Sequence, residues 1–330
     1  MRVVVFGASG VQGQAQVVEL VRAGHHPVAV SRSPKPIEVD GTPVETAAAD
    51  FADRAGVAQA LAGAEIVFLN LPSTSFQKAE TILAGAHVIA EAIKATPSVQ
   101  LTVFNTSMPV PDESQDIRAQ DDRRTIRADL RAQGLAVISI QPVCYLENLL
   151  EGWALPPIRD AHTLMYCHKP SLRASWSSHM DVAKVMVSAM QRPHLAGRNI
   201  PIGGPETVRL AQLAEKLSRG WGVELRCVNQ TVADFCGAMG AAMRKRATID
   251  VDRIVSQMFK AYTWYNESPT DPFVVDMDAV LKELPIDQPL LTIEEWARIK
   301  PIPAKPAATT TDGKRERPQQ SVHSGNQTAV

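Results

Sequence analysis

Three glycines at fixed spacing within the first thirteen residues constrain this chain more than any other feature. Gly7-Ala8-Ser9-Gly10-Val11-Gln12-Gly13 follows directly on the apolar run Val3-Val4-Val5-Phe6. Beyond it, Val11, Ala15, Val18, Leu20 and Val21 recur at roughly helical spacing until Gly24. Strand, glycine turn and helix in that order describe a phosphate-binding unit. Gly7 permits a tight turn out of the strand. Gly10 lets the backbone approach a pyrophosphate, and Gly13 lets the helix lie near the sheet. The free N–H groups and the dipole at the helix start attract phosphate. We therefore assign Gly7, Ser9, Gly10, Val11, Gln12 and Gly13 to cofactor binding. The competing reading is a glycine turn with a purely structural purpose.

The first half repeats this rhythm. Residues 27–30, 43–46, 65–71, 99–105 and 135–140 read as further strands, and 55–61, 79–95 and 116–133 as helices. Short, continuously apolar strands separated by helices predict an α/β chain: a Rossmann-type, doubly wound parallel sheet with helices on both faces. After residue 150 the pattern changes. A loop is expected at 153–157, short strands at 164–167, 199–202 and 223–228, and helices at 181–190, 210–220 and broadly 232–262. The expected organisation is a nucleotide-binding domain over 1–150, to which 174–203 returns, and a smaller substrate-binding α/β lobe over 151–300. Residues 301–330 have almost no large apolar side chain, and burial cannot offset their ordering entropy, so a disordered tail is expected.

Composition excludes several classes. Lys and Arg number 34 against 35 Asp and Glu, a net charge of -1, so no protein-wide basic field draws the chain to nucleic acid or anionic membrane. No apolar stretch reaches membrane-spanning length, and the N-terminus has no signal-peptide pattern. Cys144, Cys167, Cys227 and Cys236 form no CxxC or Cys/His cluster. No metal site, reduced thiols and a cytoplasmic location follow as expectations. The expected partner is a small-molecule substrate or another protein, and the expected state is monomer or homodimer.

The end of the second strand selects the cofactor. An acid there would bind the ribose 2′-hydroxyl of NAD, but the chain reads Ser31-Arg32-Ser33. Arg32 suits a 2′-phosphate, and Ser31 and Ser33 add hydroxyl donors, so NADP(H) is preferred over NAD(H). Asp50 and Phe51 follow the third strand, where adenine would lie; Asp50 or Asp53 reads equally as a helix cap. Leu71 and Pro72, after Asn70, fall at the end of the fourth strand and should line the cofactor cleft. Thr106 and Ser107 close the fifth strand at the carboxyl edge, where either hydroxyl could orient a substrate carbonyl. Trp153, Tyr166, Trp176, Phe235 and Met239 offer walls for a closed pocket, or simply a core.

The glycine turn, Arg32, Asp50-Phe51 and the block Gln141-Pro142-Val143-Cys144-Tyr145-Leu146-Glu147-Asn148 together resemble the NmrA-like branch of the short-chain dehydrogenases. Pro142, Tyr145, Glu147 and Asn148 match that family's block, while Gln141 replaces its Arg. Ser178-His179-Met180-Asp181-Val182-Ala183 and the run from Gly197 to Gly203-Gly204-Pro205-Glu206 also resemble family segments, so the likeness spans roughly 1–300. It adds Pro142 to the cofactor-binding set and Tyr145 to the donors near the reacting group. The larger superfamily uses a Tyr-x-x-x-Lys pair on the helix before the sixth strand. Here the two positions hold Ala119 and Arg123. Arg123 can hold a ribose or an anion but cannot act as a base. Arg123, Arg124, Arg127 and Arg131 read equally as a solvated helix face. The resemblance implies an NADPH-dependent reductase of a quinone- or enone-type molecule, working by direct hydride transfer with Tyr145, Thr106 and Ser107 as donors. The alternative is a non-catalytic NADP(H)-binding redox sensor that acts through a protein partner.

Overall fold

Alternate residues of the first strand enter two different cores. In β1 (Arg2–Phe6), Val3 and Val5 belong to one apolar cluster, and Val4 and Phe6 to another. Only a strand covered on both faces does this, which is why its apolar run is unbroken. The computed structural model describes residues 1–75, 77–244 and 250–305. Of the expected tail, 306–330 lies outside the described residues.

The chain continues through α1 (Val11–Arg22), β2 (His26–Ser31), β3 (Ile37–Val39), β4 (Thr42–Ala48), α2 (Arg54–Ala60), β5 (Ile66–Asn70) and α3 (Ala79–Lys94). Next come β6 (Leu101–Asn105), α4 (Arg118–Ala132), β7 (Val137–Pro142), β8 (Cys144–Tyr145) and α5 (Leu155–Ala161). Then follow β9 (Thr163–Tyr166), β10 (Ala174–Ser177), α6 (His179–Met190), β11 (Asn199–Ile202), β12 (Thr207–Val208) and α7 (Leu210–Trp221). The last elements are β13 (Arg226–Asn229), α8 (Val232–Arg244), α9 (Val251–Glu267), α10 (Met277–Glu283) and α11 (Ile293–Ile299).

The large sheet runs β11-β7-β6-β5-β1-β2-β4-β3, parallel throughout except for β3 against β4. This is the doubly wound Rossmann-type sheet. The chain steps outward from β1 through β2 to β4, then crosses back to β5 on the other side. That reversal creates a crevice at the carboxyl ends of β1 and β5. Helices α1 and α6 pack together, with Val17, Leu20, Val182 and Met186 in the Val3 cluster. On the opposite face, Val57, Ile82, Ile89 and Ile126 from α2, α3 and α4 belong to the Val4 cluster. Beyond β7 lie the small sheet β12-β10-β8, the pair β13-β9, and the packed helix pairs α8/α9 and α7/α11.

Four local readings need correction. The expected loop at 153–157 runs into helix α5; Pro156 sits in its first turn, where a missing N–H costs nothing. The strand expected at 223–228 is β13, because Gly222, at φ 69°, ends α7 in a left-handed cap and the next residues only connect. The broad helix over 232–262 is two helices, α8 and α9. Strand β3 was not expected, although Asp40-Gly41 forms the hairpin turn to β4 with φ of 49° and 80°. Asp-Gly is a strong signal for such a turn.

Candidate active site

The glycine turn brings two strand ends within contact distance. Gly7 sits at φ 74°, and a β-carbon there would lie 2.7 Å from the Asn70 carbonyl at the end of β5. A β-carbon on Gly13 would come within 2.4 Å of the Gly7 carbonyl. Gly10 is less restricted: its β-carbon would meet only the Gly7 carbonyl, at 3.4 Å. Helix α1 therefore starts close against the sheet, and no side chain caps its first turn. Its exposed N–H groups face a cleft of about 450 Å³ at the crevice.

The cleft is lined by Gly7, Ser9, Gly10, Val11, Gln12 and Gly13 from the turn, Ser31 and Arg32 after β2, and Asp50 and Phe51 after β4. Leu71, Pro72, Ser107 and Arg123 complete the expected residues found there. Arg32 is exposed and forms no ion pair among the described residues. Asp50 Oδ1 accepts the Ala52 N–H at 2.9 Å, whereas the cap of α2 is Asp53. Phe51 packs edge-on against Phe6 with ring centroids 6.2 Å apart. Four expected residues stand apart from this lining: Ser33, Pro142, Thr106 and Tyr145, which reaches it through Gln12. Ser33 lines an adjoining cavity of about 480 Å³, which shares Ser9 and Ser31 with the cleft. Pro142 is buried at the end of β7. Thr106 is fully buried; its hydroxyl donates to the Met108 carbonyl at 2.7 Å, with the Ile140 carbonyl at 3.2 Å. Bound to backbone, the Thr106 hydroxyl holds the β6 terminus in place and does not face a ligand, which corrects its reading as a donor.

Beside the cleft, where Gln12 and Ser107 line it, three donors converge on one oxygen. Asn105 Nδ2, Ser107 Oγ and Tyr145 OH reach Gln12 Oε1 at 2.6, 3.0 and 3.0 Å. A chain of amides fixes their orientation. The Ser107 N–H donates to Asn105 Oδ1 at 2.9 Å, so Nδ2 must face Gln12. Asn70 Nδ2 donates to the Phe6 carbonyl and exchanges hydrogen bonds with the buried Gln16. Ser107 is held at φ 62°, a conformation that costs a residue with a side chain about 1–2 kcal/mol. Such strain persists where the surroundings impose it, commonly at functional sites. Burial pushes the Tyr145 hydroxyl far above its usual pKa, so it stays a neutral donor. Sequence reading passed over Asn105 and Gln16. Their signal was a polar residue at the end of an apolar strand and another on the buried face of α1.

The arginines of α4 are not one solvated face. Arg123 is 1% exposed and Arg127 is 4% exposed. Arg123 Nη2 donates to the carbonyls of Leu71 and Pro72 at 2.8 and 3.0 Å, while its buried Nη1 has no partner among the described residues. Burial pushes its pKa down to about 10, which leaves it charged at neutral pH. A fixed cation with a vacant donor at the cleft wall suits a ribose hydroxyl, a carbonyl or an anion.

The NmrA-like family model matches residues 1–297. The chain belongs to the NmrA-like family. It is 29% identical, over 68% of its length and 75% of the relative's, to a (4-alkanoyl-5-oxo-2,5-dihydrofuran-3-yl)methyl phosphate reductase of Streptomyces griseus. An NAD(P)H azoreductase of Xenophilus azovorans is 27% identical over 72% of this chain and 80% of that protein. Among solved structures, an NADPH-dependent quinone oxidoreductase of Escherichia coli, complexed with NADPH, superposes with a TM-score of 0.67. It is 18% identical and covers 90% of this chain and 98% of its own. The fold is thus the NAD(P)-binding, Rossmann-type fold of the NmrA-like proteins.

The segments that carried the NmrA-like resemblance turn out to be clamps. Glu147 accepts the His179 N–H and the Trp296 indole N–H, tying α6 and α11 to the end of β8. Ser178 caps α6, and the buried Asp181 accepts from Lys184 and from the Leu291 N–H. A β-carbon on Gly204 would lie 1.8 Å from the Trp176 carbonyl. Tyr166, Trp176 and Phe235, read as pocket walls, are at most 2% exposed and pack on one another. They are core. No helix among the described residues is long and apolar enough to cross a membrane.

Proposed function

We propose that this NmrA-like protein is an NADPH-dependent reductase of a quinone- or enone-type small molecule. The observation that carries the reading is the convergence of Asn105, Ser107 and Tyr145 on one oxygen beside a glycine-walled cleft. The residues present fit the cofactor. The uncapped N-terminus of α1 and the Gly7–Gly13 turn would hold the pyrophosphate. Arg32 and Ser31 would hold the 2′-phosphate, Asp50 and Phe51 the adenine side, and the vacant Arg123 donor the nicotinamide-ribose side. When bound, NADPH supplies a hydride and becomes NADP+. The quinone gains that hydride and takes one proton from water to become the quinol. The charge that develops on its carbonyl oxygen meets three fixed, neutral donors. With Ala119 and Arg123 in place of the Tyr and Lys, neither of those two positions offers a side chain that can take a proton from an alcohol, and alcohol oxidation requires a base at the hydroxyl. The names of the two sequence relatives, both reductases, support the class.

The test is NADPH consumption with menadione under anaerobic conditions, with quinol quantified and secondary alcohols plus NADP+ run in parallel. Quinol formed in step with NADPH loss, and no alcohol oxidation, is the expected result. NADPH bound tightly without any acceptor turnover would replace this reading with that of a redox sensor.

A further inference from the structure

Gln12 Oε1 has more donors than an amide oxygen ordinarily takes. A carbonyl oxygen has two lone pairs, yet three donors reach this one within 3.0 Å: Asn105 Nδ2, Ser107 Oγ and Tyr145 OH. Three donors suit an oxygen that gains negative charge during a reaction. The donors are also built more firmly than their acceptor. Asn105 is locked by the Ser107 N–H and by Asn70, Ser107 by its φ of 62°, and Tyr145 by burial against His179 at 4.6 Å between rings. Gln12 instead lies half-buried on the first turn of α1, and its Nε2 donates to no described residue. Rotation about its side-chain bonds withdraws the oxygen and leaves the helix where it is.

We propose that the Gln12 side-chain carbonyl is a built-in stand-in for the acceptor's carbonyl, and that the conjugated substrate displaces it to reach Asn105, Ser107 and Tyr145. The inference rests on the reductase reading above and deepens it. Gln12 becomes a positioning and specificity residue. It keeps the three donors satisfied while the site waits, and only an acceptor with a planar oxygen that competes for all three takes its place. A weaker acceptor, such as an isolated hydroxyl, leaves Gln12 in its seat. The cost of displacing Gln12 enters the apparent affinity of every substrate, as it does for any protein whose binding-competent state is a minority.

The experiment measures menadione binding by calorimetry to protein saturated with NADP+, in wild type, Gln12→Ala and Gln12→Glu. Saturation removes differences in cofactor affinity from the comparison. The Ala variant vacates the seat, so menadione should bind about tenfold tighter. The Glu variant puts a carboxylate on the same three donors, and its charge-assisted hydrogen bonds should weaken menadione about tenfold. Opposite shifts from two changes at one side chain are not expected of a merely structural residue. Equal or weaker binding by a folded Ala variant overturns the proposal. If the Ala variant does not fold, the Glu variant decides alone, and binding unaffected by the carboxylate overturns it. Turnover is scored separately. The opposite shifts without quinol formation sustain this inference and sink the reductase reading; quinol formation with flat binding does the reverse.

Discussion

Two regions of this molecule gather aromatic and polar side chains, and they do so with opposite results. In the second half, Trp153, Tyr166, His168, Trp176, Phe235, Tyr262 and Phe273 stack with ring centroids 4.5 to 6.3 Å apart. Their rings are consumed by one another. At the carboxyl edge of the sheet, four amides (Gln12, Gln16, Asn70 and Asn105) join Ser107 and Tyr145 in a network that opens on a cleft. The aromatic residues read in sequence as pocket walls or core, and they are core. Of the amides, Asn70 and Asn105 stand at strand ends and Gln12 and Gln16 on α1, and together they frame the candidate site. The difference lies in what remains unsatisfied: apolar faces close on themselves, whereas directional donors aimed at one point keep a place for an oxygen.

The sharpest way to break this comparison is to press on the glycine turn. A β-carbon on Gly13 would lie 2.4 Å from the Gly7 carbonyl, so Gly13→Ala must push α1 away from the sheet. Overpacking of this kind costs about 1–3 kcal/mol, which as lost cofactor affinity is roughly tenfold to a hundredfold. Gly10→Ala, with only a 3.4 Å contact to the same carbonyl, should cost far less. Calorimetric titration with NADPH ranks the two, and equal losses would show that the turn does not position the cofactor.

The aromatic region should answer to pH instead. His168 is 2% exposed, its Nε2 has no partner among the described residues, and burial pushes its pKa down to about 3. The unfolded chain takes up that proton near pH 6.5, but the fold does not. The stabilisation from a neutral His168 is therefore complete above 6.5 and declines as pH falls from 6.5 towards 3. At pH 5 the loss is about 2 kcal/mol. His168→Phe removes this term, so the variant's stability should fall less than wild type's between pH 7 and 5. Urea titrations at both pH values test it; parallel decline in both proteins would mean that His168 is protonated in the fold.

Legibility followed the kind of physics involved. Strand-turn-helix order, a 3.6-residue period and the missing acid at Arg32 are local, and the sheet and most of the cleft lining could be read from them. Asn105, Gln16 and the role of Gln12 could not, because Gln12 and Asn105 are 93 residues apart in sequence and meet only once β1 and β6 are placed. Arg123 and Arg127 escaped for a related reason. An arginine-rich helix reads as solvated until its neighbours supply the carbonyls of Leu71, Pro72 and Val110 that let it be buried. The Glu147 and Asp181 blocks were legible as a family likeness, but their work is to fasten α6 and α11.

Tyr145 lies between the two regions, buried like the aromatics and bonded like the amides. Tyr145→Phe keeps the packing on His179 and removes one of three donors. With Asn105 and Ser107 left, menadione reduction should slow roughly tenfold, in kcat more than in KM. An unchanged rate would move Tyr145 into the aromatic company and out of the site.

The smallest effect is expected at Arg32, for a reason the structure supplies. Arg32 is exposed at the rim of the cleft, so its pairing with a 2′-phosphate is screened by solvent and salt. A planar guanidinium still meets a phosphate through two hydrogen bonds, and nearby Ser31 adds a hydroxyl. Arg32→Ala should therefore weaken NADPH about three- to tenfold and leave NADH nearly unchanged, within the range of exposed, charge-assisted pairs. The selectivity of wild type for NADPH should narrow as salt rises, because the contact is within reach of counterions, while that of the Ala variant should stay flat. Titrating both cofactors into both proteins at low and high ionic strength checks this. If NADH and NADPH weaken equally in the variant, Arg32 acts on a phosphate or ribose common to both cofactors. Any preference for NADP(H) would then have to come from Ser31, or from Ser33 and Lys35 in the adjoining cavity.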